Sequence, residues 1–218
     1  SIPKEIGNAT MLKVLWLYKN QLTGEIPYKI GTIELEELAI YSNSLSGTIP
    51  SVIFNMSSLK MLDLSENDFS VGVLPDNLCL TLPNLEKLHL GNCQLCGPIP
   101  AQLSQCIKLR SLLLRNNNLT GSIPSYLFNM SNLESIRLTN NNFEPTILPD
   151  NICQNLPKLE WLGMTYCNLG GRITTQFSQC GKLRVLGLAS NNFIGSIPPT
   201  VGNLTNLEEL FLASNHLT

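Results

Sequence analysis

The sequence predicts a β-rich solenoid of the α/β class. It would be one right-handed superhelix of stacked repeats, with a parallel sheet on the concave side and an irregular or 3-10 convex side. Three observations predict it. Leucine returns at offsets 0, 3, 5 and 10 of a unit that reads plainly from Leu109: Leu109, Leu112, Leu114 and Leu119. The x-L-x-L-x segment inside that unit alternates with period two. Asparagine stands at offset 8 and Gly-x-Ile-Pro closes the pattern, here Asn117, Gly121, Ile123 and Pro124. A fixed period of roughly 20–50 residues fixes the architecture before any other reading.

The offset-0 leucines are Leu12, Leu35, Leu59, Leu85, Leu109, Leu133, Leu159, Leu183 and Leu207. They divide the chain into a partial repeat 1–11, eight repeats starting at 12, 35, 59, 85, 109, 133, 159 and 183, and a short repeat 207–218. The unbroken period makes residues 1–218 a single solenoid domain. Ser1-Ile2-Pro3 matches Ser122-Ile123-Pro124 in mid-repeat, so a piece of a longer chain is expected.

Each element follows from the pattern. In x-L-x-L-x the leucines point inward and the x residues outward, because strand side chains alternate. One such strand cannot bury its leucines alone, so stability is a sum of neighbour interfaces. Gly at offset 12 and Pro at offset 15 preclude a regular helix there and favour an extended run. A coiled coil is excluded, since offsets 0, 3 and 5 fit neither a 3.5 nor a 3.6 period.

The offset-8 column reads Asn20, Asn43, Asn67, Cys93, Asn117, Asn141, Cys167, Asn191 and Asn215. A buried amide must be hydrogen-bonded. Its repetition therefore marks a structural ladder where the chain leaves each strand.

A longer period overlies the first. Phe54-Asn55-Met56-Ser57 returns as Phe128-Asn129-Met130-Ser131, and Cys79, Cys93 and Cys106 return as Cys153, Cys167 and Cys180. Three repeats of 26, 24 and 24 residues have been copied together, the longer ones (starting at 59 and 133) lacking Gly-x-Ile-Pro. Their extra residues are expected to bulge the outer side. The 27-residue separation within Cys79/Cys106 and Cys153/Cys180 predicts two inter-repeat disulfides. Each would contribute about 3 kcal/mol through loop closure, the alternative being four free thiols. Cys93 and Cys167 read as small buried thiols. Cys93-x-x-Cys96 has no second pair or His cluster, so no metal site is expected. Sequons fall at Asn8, Asn55, Asn118, Asn129 and Asn203, all in turn and outer segments. With the cysteines they favour the secretory pathway.

Bulk properties exclude other classes. A net charge of −2 gives no electrostatic case for nucleic acid. No apolar run reaches the roughly 18 residues a membrane helix needs, so any membrane link lies in parts of a parent chain outside this sequence. No phosphate loop, nucleophile elbow or kinase signature appears, and no cofactor is expected. Asp63 and His89 share a column on adjacent strands, with Ser65 or Ser111 nearby. A solvated polar pair is the simpler reading than a hydrolytic site, and no catalytic residue is assigned.

The outward row carries the functional expectation. Its central positions are Trp16, Ala39, Asp63, His89, Leu113, Arg137, Gly163, Gly187 and Phe211. The positions two residues later are Tyr18, Tyr41, Ser65, Gly91, Arg115, Thr139, Thr165, Ala189 and Ala213. Trp16, Tyr18 and Tyr41 start the row, His89, Arg115 and Arg137 form a basic middle, and Trp161, Tyr166 and Phe211 follow. Aromatics and arginine are the residue types that anchor interfaces. Nine strands at about 4.8 Å give room for an extended peptide of roughly 11–12 residues. Arg115 and Arg137 together are expected to suit a carboxylate or sulfate.

The pattern L-x-x-L-x-L-x-x-[NC]-x-L with trailing L-[TS]-G-x-I-P resembles the plant extracellular leucine-rich repeat, across essentially the whole chain. The stretches Leu74–Glu86 and Leu148–Glu160 resemble the ectodomains of plant leucine-rich-repeat receptor-like kinases, in the branch of pattern-recognition immune receptors. That resemblance implies an extracellular or apoplastic module recognising a peptide or microbial ligand, with a co-receptor kinase as a further partner and a kinase domain elsewhere in the parent chain. It places ligand contacts at the variable strand positions named above. A secreted protein like the plant inhibitors of fungal polygalacturonases is the alternative.

Overall fold

The computed structural model describes all of residues 1–218. Nine three-residue strands, from Val14–Trp16 to Glu209–Phe211, form one parallel sheet in chain order. Its register pairs the offset-3 column with itself throughout: Leu15 with Leu38, Leu62 with Leu88, Leu112 with Ile136, Leu186 with Leu210. The period-two reading of the strands therefore holds. Leu38, Leu62, Leu88, Leu112, Ile136, Leu162 and Leu186 are wholly buried, whereas Leu210, on the last strand, is 40% exposed. A leucine here is covered by its neighbours in the stack, as nearest-neighbour stabilisation requires.

Beyond the Ile-Pro positions each outer segment is a single 3-10 turn, such as Tyr28–Thr32, Ser51–Asn55, Ala101–Gln105 and Ser125–Asn129. Proline precedes each of these four in an extended conformation. It fixes φ and has no N–H to lose. In the two 26-residue repeats the turn is α-helical instead, Leu78–Thr81 and Ile152–Asn155. These helices carry Cys79 and Cys153, which form disulfides to Cys106 and Cys180 at the ends of the next outer turns, with Cα–Cα separations of 5.0 and 4.8 Å. The paired-cysteine expectation is met.

The sequence did not announce a second set of strands. The extended run around the offset-12 glycine pairs laterally with its counterparts, in three small parallel sheets. One joins Thr23–Gly24, Ser44–Gly47 and Asp68–Phe69; the next joins Gly72–Val73, Leu95–Gly97 and Asn118–Leu119; the third runs from Thr146–Ile147 to His216–Leu217. Gly47, Gly97, Gly121, Gly171 and Gly195 all have φ between 73° and 83°, a backbone conformation that side chains oppose. The lateral sheet breaks at each 26-residue repeat. Ordinarily a residue pairs with the position two further along the preceding repeat, as Leu45 does with Gly24. After the long repeats the shift is three, Leu95 with Gly72 and Leu169 with Thr146. The extra residues thus produce a register fault, and Gln94 and Asn168, left-handed at φ 55°, lie beside it.

The asparagine ladder forms as expected. Asn67 is 4% exposed; its Nδ2 donates to Ile40 O, Leu64 O and Ser65 O, and its Oδ1 accepts from Leu45 N. Asn20 departs from the pattern, being exposed and bonded only to Leu17 O and Tyr18 O. Cys93 and Cys167 stand in the ladder at the two register faults, their thiols directed at Leu64 O and Leu138 O. The asparagine that follows each takes two amides, Asn117 from Cys93 N and Leu95 N, and Asn191 from Cys167 N and Leu169 N. Burial pushes the Cys93 thiol well above its ordinary range and the Cys167 thiol up to about 12. A maleimide at mildly alkaline pH is expected to label only the half-buried Cys96 in the native protein. Mass spectrometry before and after denaturation would check this, and native labelling of Cys93 would contradict it.

Along one margin of the concave sheet runs a column the sequence reading did not single out. Lys13, Glu36, Lys60, Glu86, Arg110, Glu134, Glu160, Arg184 and Glu208 alternate in sign except at Glu134 and Glu160. Lys60 meets Glu36 at 2.6 Å, Arg110 meets Glu134 at 3.6 Å, and Arg184 binds Glu208 through two nitrogens at 2.9 Å. These pairs are exposed, so they specify register more than they stabilise.

Candidate functional site

The outward row lies on the concave sheet, three side chains per strand. Trp16, Tyr18 and Phe211 are exposed, at 53%, 38% and 48%. Tyr18 stacks on Tyr41 with ring centroids 4.6 Å apart and planes 5° from parallel, and Trp16 tilts against Tyr18 at 6.2 Å. Trp16 Nε1 donates to Glu37 Oε2 at 3.0 Å. Not all of the row is open. Ala39, Ser65, Gly163 and Gly187 are buried by their larger neighbours.

The middle of the row is a connected polar floor. His89 Nδ1 lies 3.2 Å from Asp63 Oδ2, and His89 Nε2 lies 2.8 Å from Ser111 Oγ. Three consecutive strands thus supply Asp63, His89 and Ser111. The other Asp63 oxygen accepts from Ser65 N at 3.1 Å. The pairing of Asp63 with His89 was legible as a shared column. Ser111 is the one of the two candidate serines that joins it, because offset 2 of the next strand faces the imidazole.

The two arginines do not converge. Arg115 reaches back across two repeats to Glu66 at 2.8 Å. Arg137 lies over Trp161, its Cζ 3.9 Å from the ring centroid, with Nε donating to Ser135 Oγ at 3.2 Å. Burial first, then the charge of Arg115, draws Arg137 below the usual guanidinium range. Each is held by a different partner, so the expectation of one shared carboxylate site between them is replaced by two separate positive points. Tyr166 is 60% exposed but sits at φ 53° in the turn that leaves its strand, at the margin of the row. Glu37, Ser42, Glu66 and Ser135 contribute contacts that sequence reasoning missed. Glu66 belongs to the left-handed position just before the ladder residue.

All five sequon asparagines are exposed. Asn8, Asn55, Asn129 and Asn203 are each the last residue of a 3-10 turn, on one line of the solenoid. Asn118 differs, lying in a lateral strand beside Cys96.

A parallel strand stack with leucine lining, an asparagine ladder and a variable outward row defines a leucine-rich-repeat solenoid. The chain belongs to the leucine-rich-repeat proteins. The family model described as "FBD-associated F-box protein At5g56370, LRR repeats" matches residues 31–193, and single- and double-repeat models match residues 11–33 and 181–218. Receptor-like protein 39 of Arabidopsis thaliana is 34% identical over 169 residues, covering 77% of this chain and 19% of that protein. The chain thus spans about a fifth of that relative's length. The Arabidopsis receptor kinase HAESA, solved in complex with the peptide hormone IDA and the co-receptor SERK1, superposes with a TM-score of 0.89 at 36% identity over 100% of this chain and 36% of that one. PEPR1 with AtPEP1 gives 0.84 at 32% identity over 99% and 33%. No helix is long and apolar enough to cross a membrane.

Proposed function

We propose that these repeats form the ligand-recognition surface of an extracellular plant receptor of the receptor-like protein or receptor kinase type. An extended peptide would lie along the concave sheet, and a co-receptor kinase would be a further partner. One observation carries this reading: an outward row of exposed aromatic and arginine side chains on a scaffold similar to ectodomains solved with peptide hormones. Repetition fixes the leucines and asparagines, while the outward positions vary freely from strand to strand. Variation on a rigid frame is what recognition needs.

Hydrolytic chemistry at the Asp63–His89–Ser111 chain is not part of this reading. An acyl-transfer site needs N–H groups free to meet an oxyanion. Ser111 N is bonded to Glu86 O at 3.1 Å and Leu114 N to Arg137 O at 2.8 Å, both committed to the sheet. The chain of bonds serves instead to hold the floor rigid.

The test is a binding screen of the glycosylated protein against peptide and microbial fractions, followed by an Arg137→Glu, Trp161→Ala double variant. Loss of at least about tenfold in affinity, equal to about 1.4 kcal/mol, is expected with the fold intact. Unchanged affinity would remove Arg137 and Trp161 from the binding surface.

A further inference from the structure

A hollow of about 350 Å³ opens on the concave face between Tyr41 and Ser42 on one side and Leu113 and Arg115 on the other. It exists because two positions of the row carry little bulk. Ser65 lines the hollow, and Gly91 leaves the next position bare. A Cβ on Gly91 would stand 2.5 Å from Leu113 Cδ2 and 3.1 Å from Arg115 Cγ, so both side chains lean across the glycine. Asp63 lies in its interior, while Glu66, Lys19 and Arg115 stand at its rim. The Asp63 side chain is 15% exposed and is fixed by Ser65 N and His89. Glu66 Oε2 accepts from Ser42 Oγ at 2.7 Å, which sets the carboxylate in place from the far side. Lys19 and Arg115 are exposed. The Arg115–Glu66 pair is about half exposed at both ends, 44% and 46%, and such a pair opens at little cost.

The aromatic wall is preorganised, since Tyr41 is stacked on Tyr18. Burial first, then Tyr18, Asp63 and Glu66, pushes the Tyr41 hydroxyl above the ordinary phenol range. Ser65, 7% exposed, accepts from Gly91 N at 3.1 Å and keeps a second lone pair.

We propose that this hollow is a subsite for one cationic side chain of the ligand, an arginine or lysine, which displaces Arg115 from Glu66 and lies against Tyr41. It rests on the concave-face reading above and names a side chain that face selects. The incoming cation takes Glu66 Oε1, the oxygen Arg115 vacates, while Ser42 keeps the carboxylate aimed. The Tyr41 ring adds a cation–π contact. An anionic group would instead meet the Asp63 carboxylate, which Ser65 N and His89 hold inside the hollow.

The probe is acetyl-arginine amide, titrated by NMR against acetyl-citrulline amide, which has the same shape and no charge. The arginine compound is expected to bind at least about tenfold more tightly. Arg115→Ala should tighten it by removing the internal competitor. Glu66→Gln should weaken it about tenfold without altering the unfolding midpoint. Gly91→Leu should weaken it likewise by filling the hollow. Equal binding of the two amides, or weaker binding in Arg115→Ala, overturns the subsite. That result is separate from the broader reading, which stands or falls on whether a captured peptide loses affinity when Arg137 or Trp161 is changed.

Discussion

Asn191→Ala is expected to lower stability by roughly 3–5 kcal/mol, because a buried group left unpaired costs about 1–3 kcal/mol. Asn191 is 6% exposed and makes five bonds. Its Oδ1 accepts from Cys167 N at 3.0 Å and Leu169 N at 2.9 Å. Its Nδ2 donates to Met164 O at 2.8 Å and to Leu188 O and Ala189 O at 3.0 Å. Alanine would strand two amides and deprive three carbonyls in a place water does not reach. Asn20→Ala, at an exposed site with two bonds, is expected to cost less than about 1 kcal/mol. Urea denaturation followed by circular dichroism would compare them. Equal midpoints for the two variants would show that the ladder is not a source of stability.

The second large effect is expected from Cys153→Ser with Cys180→Ser. Their sequence separation of 27 residues makes the bridge worth roughly 3–4 kcal/mol through loop entropy. Position adds to this. Both disulfides tie a long repeat to its successor, across the interfaces where the lateral register is shifted by three positions rather than two. The serine variant should therefore unfold at markedly lower urea. It should also gain early protease cuts in 140–182, the repeats on either side of the fault. If cuts appeared evenly along the chain, the claim that the bridge guards this shifted interface would fail.

Most of the concave side was legible because the leucine columns impose one register and leave the outward residues no choice of face. The lateral sheets were not. Two-residue strands carry no period of their own, and Gly-x-Ile-Pro marks them only as extended. Whether they pair depends on the neighbouring turn. The register faults had a signal in hindsight: each 26-residue repeat is followed by a repeat with cysteine in the ladder, and this happens twice. The site was legible in residue types but not in pairings. Arg115 and Arg137 stand on neighbouring strands, yet one is drawn backward by Glu66 and the other forward by Trp161. Gly91 decides the first, since only an absent side chain lets Arg115 cross it.

The interrupted lateral sheets also bear on how the molecule would respond to tension. A pull along its length would meet three laterally paired blocks, Thr23–Phe69, Gly72–Leu119 and Thr146–Leu217, joined by one unbroken concave sheet. Both disulfides lie inside a block, Cys79–Cys106 in the second and Cys153–Cys180 in the third. Each disulfide then withholds its 27 residues, roughly 90 Å of contour, from the stretch. A tether built this way would extend in short, bounded steps and keep its outward row intact within each block.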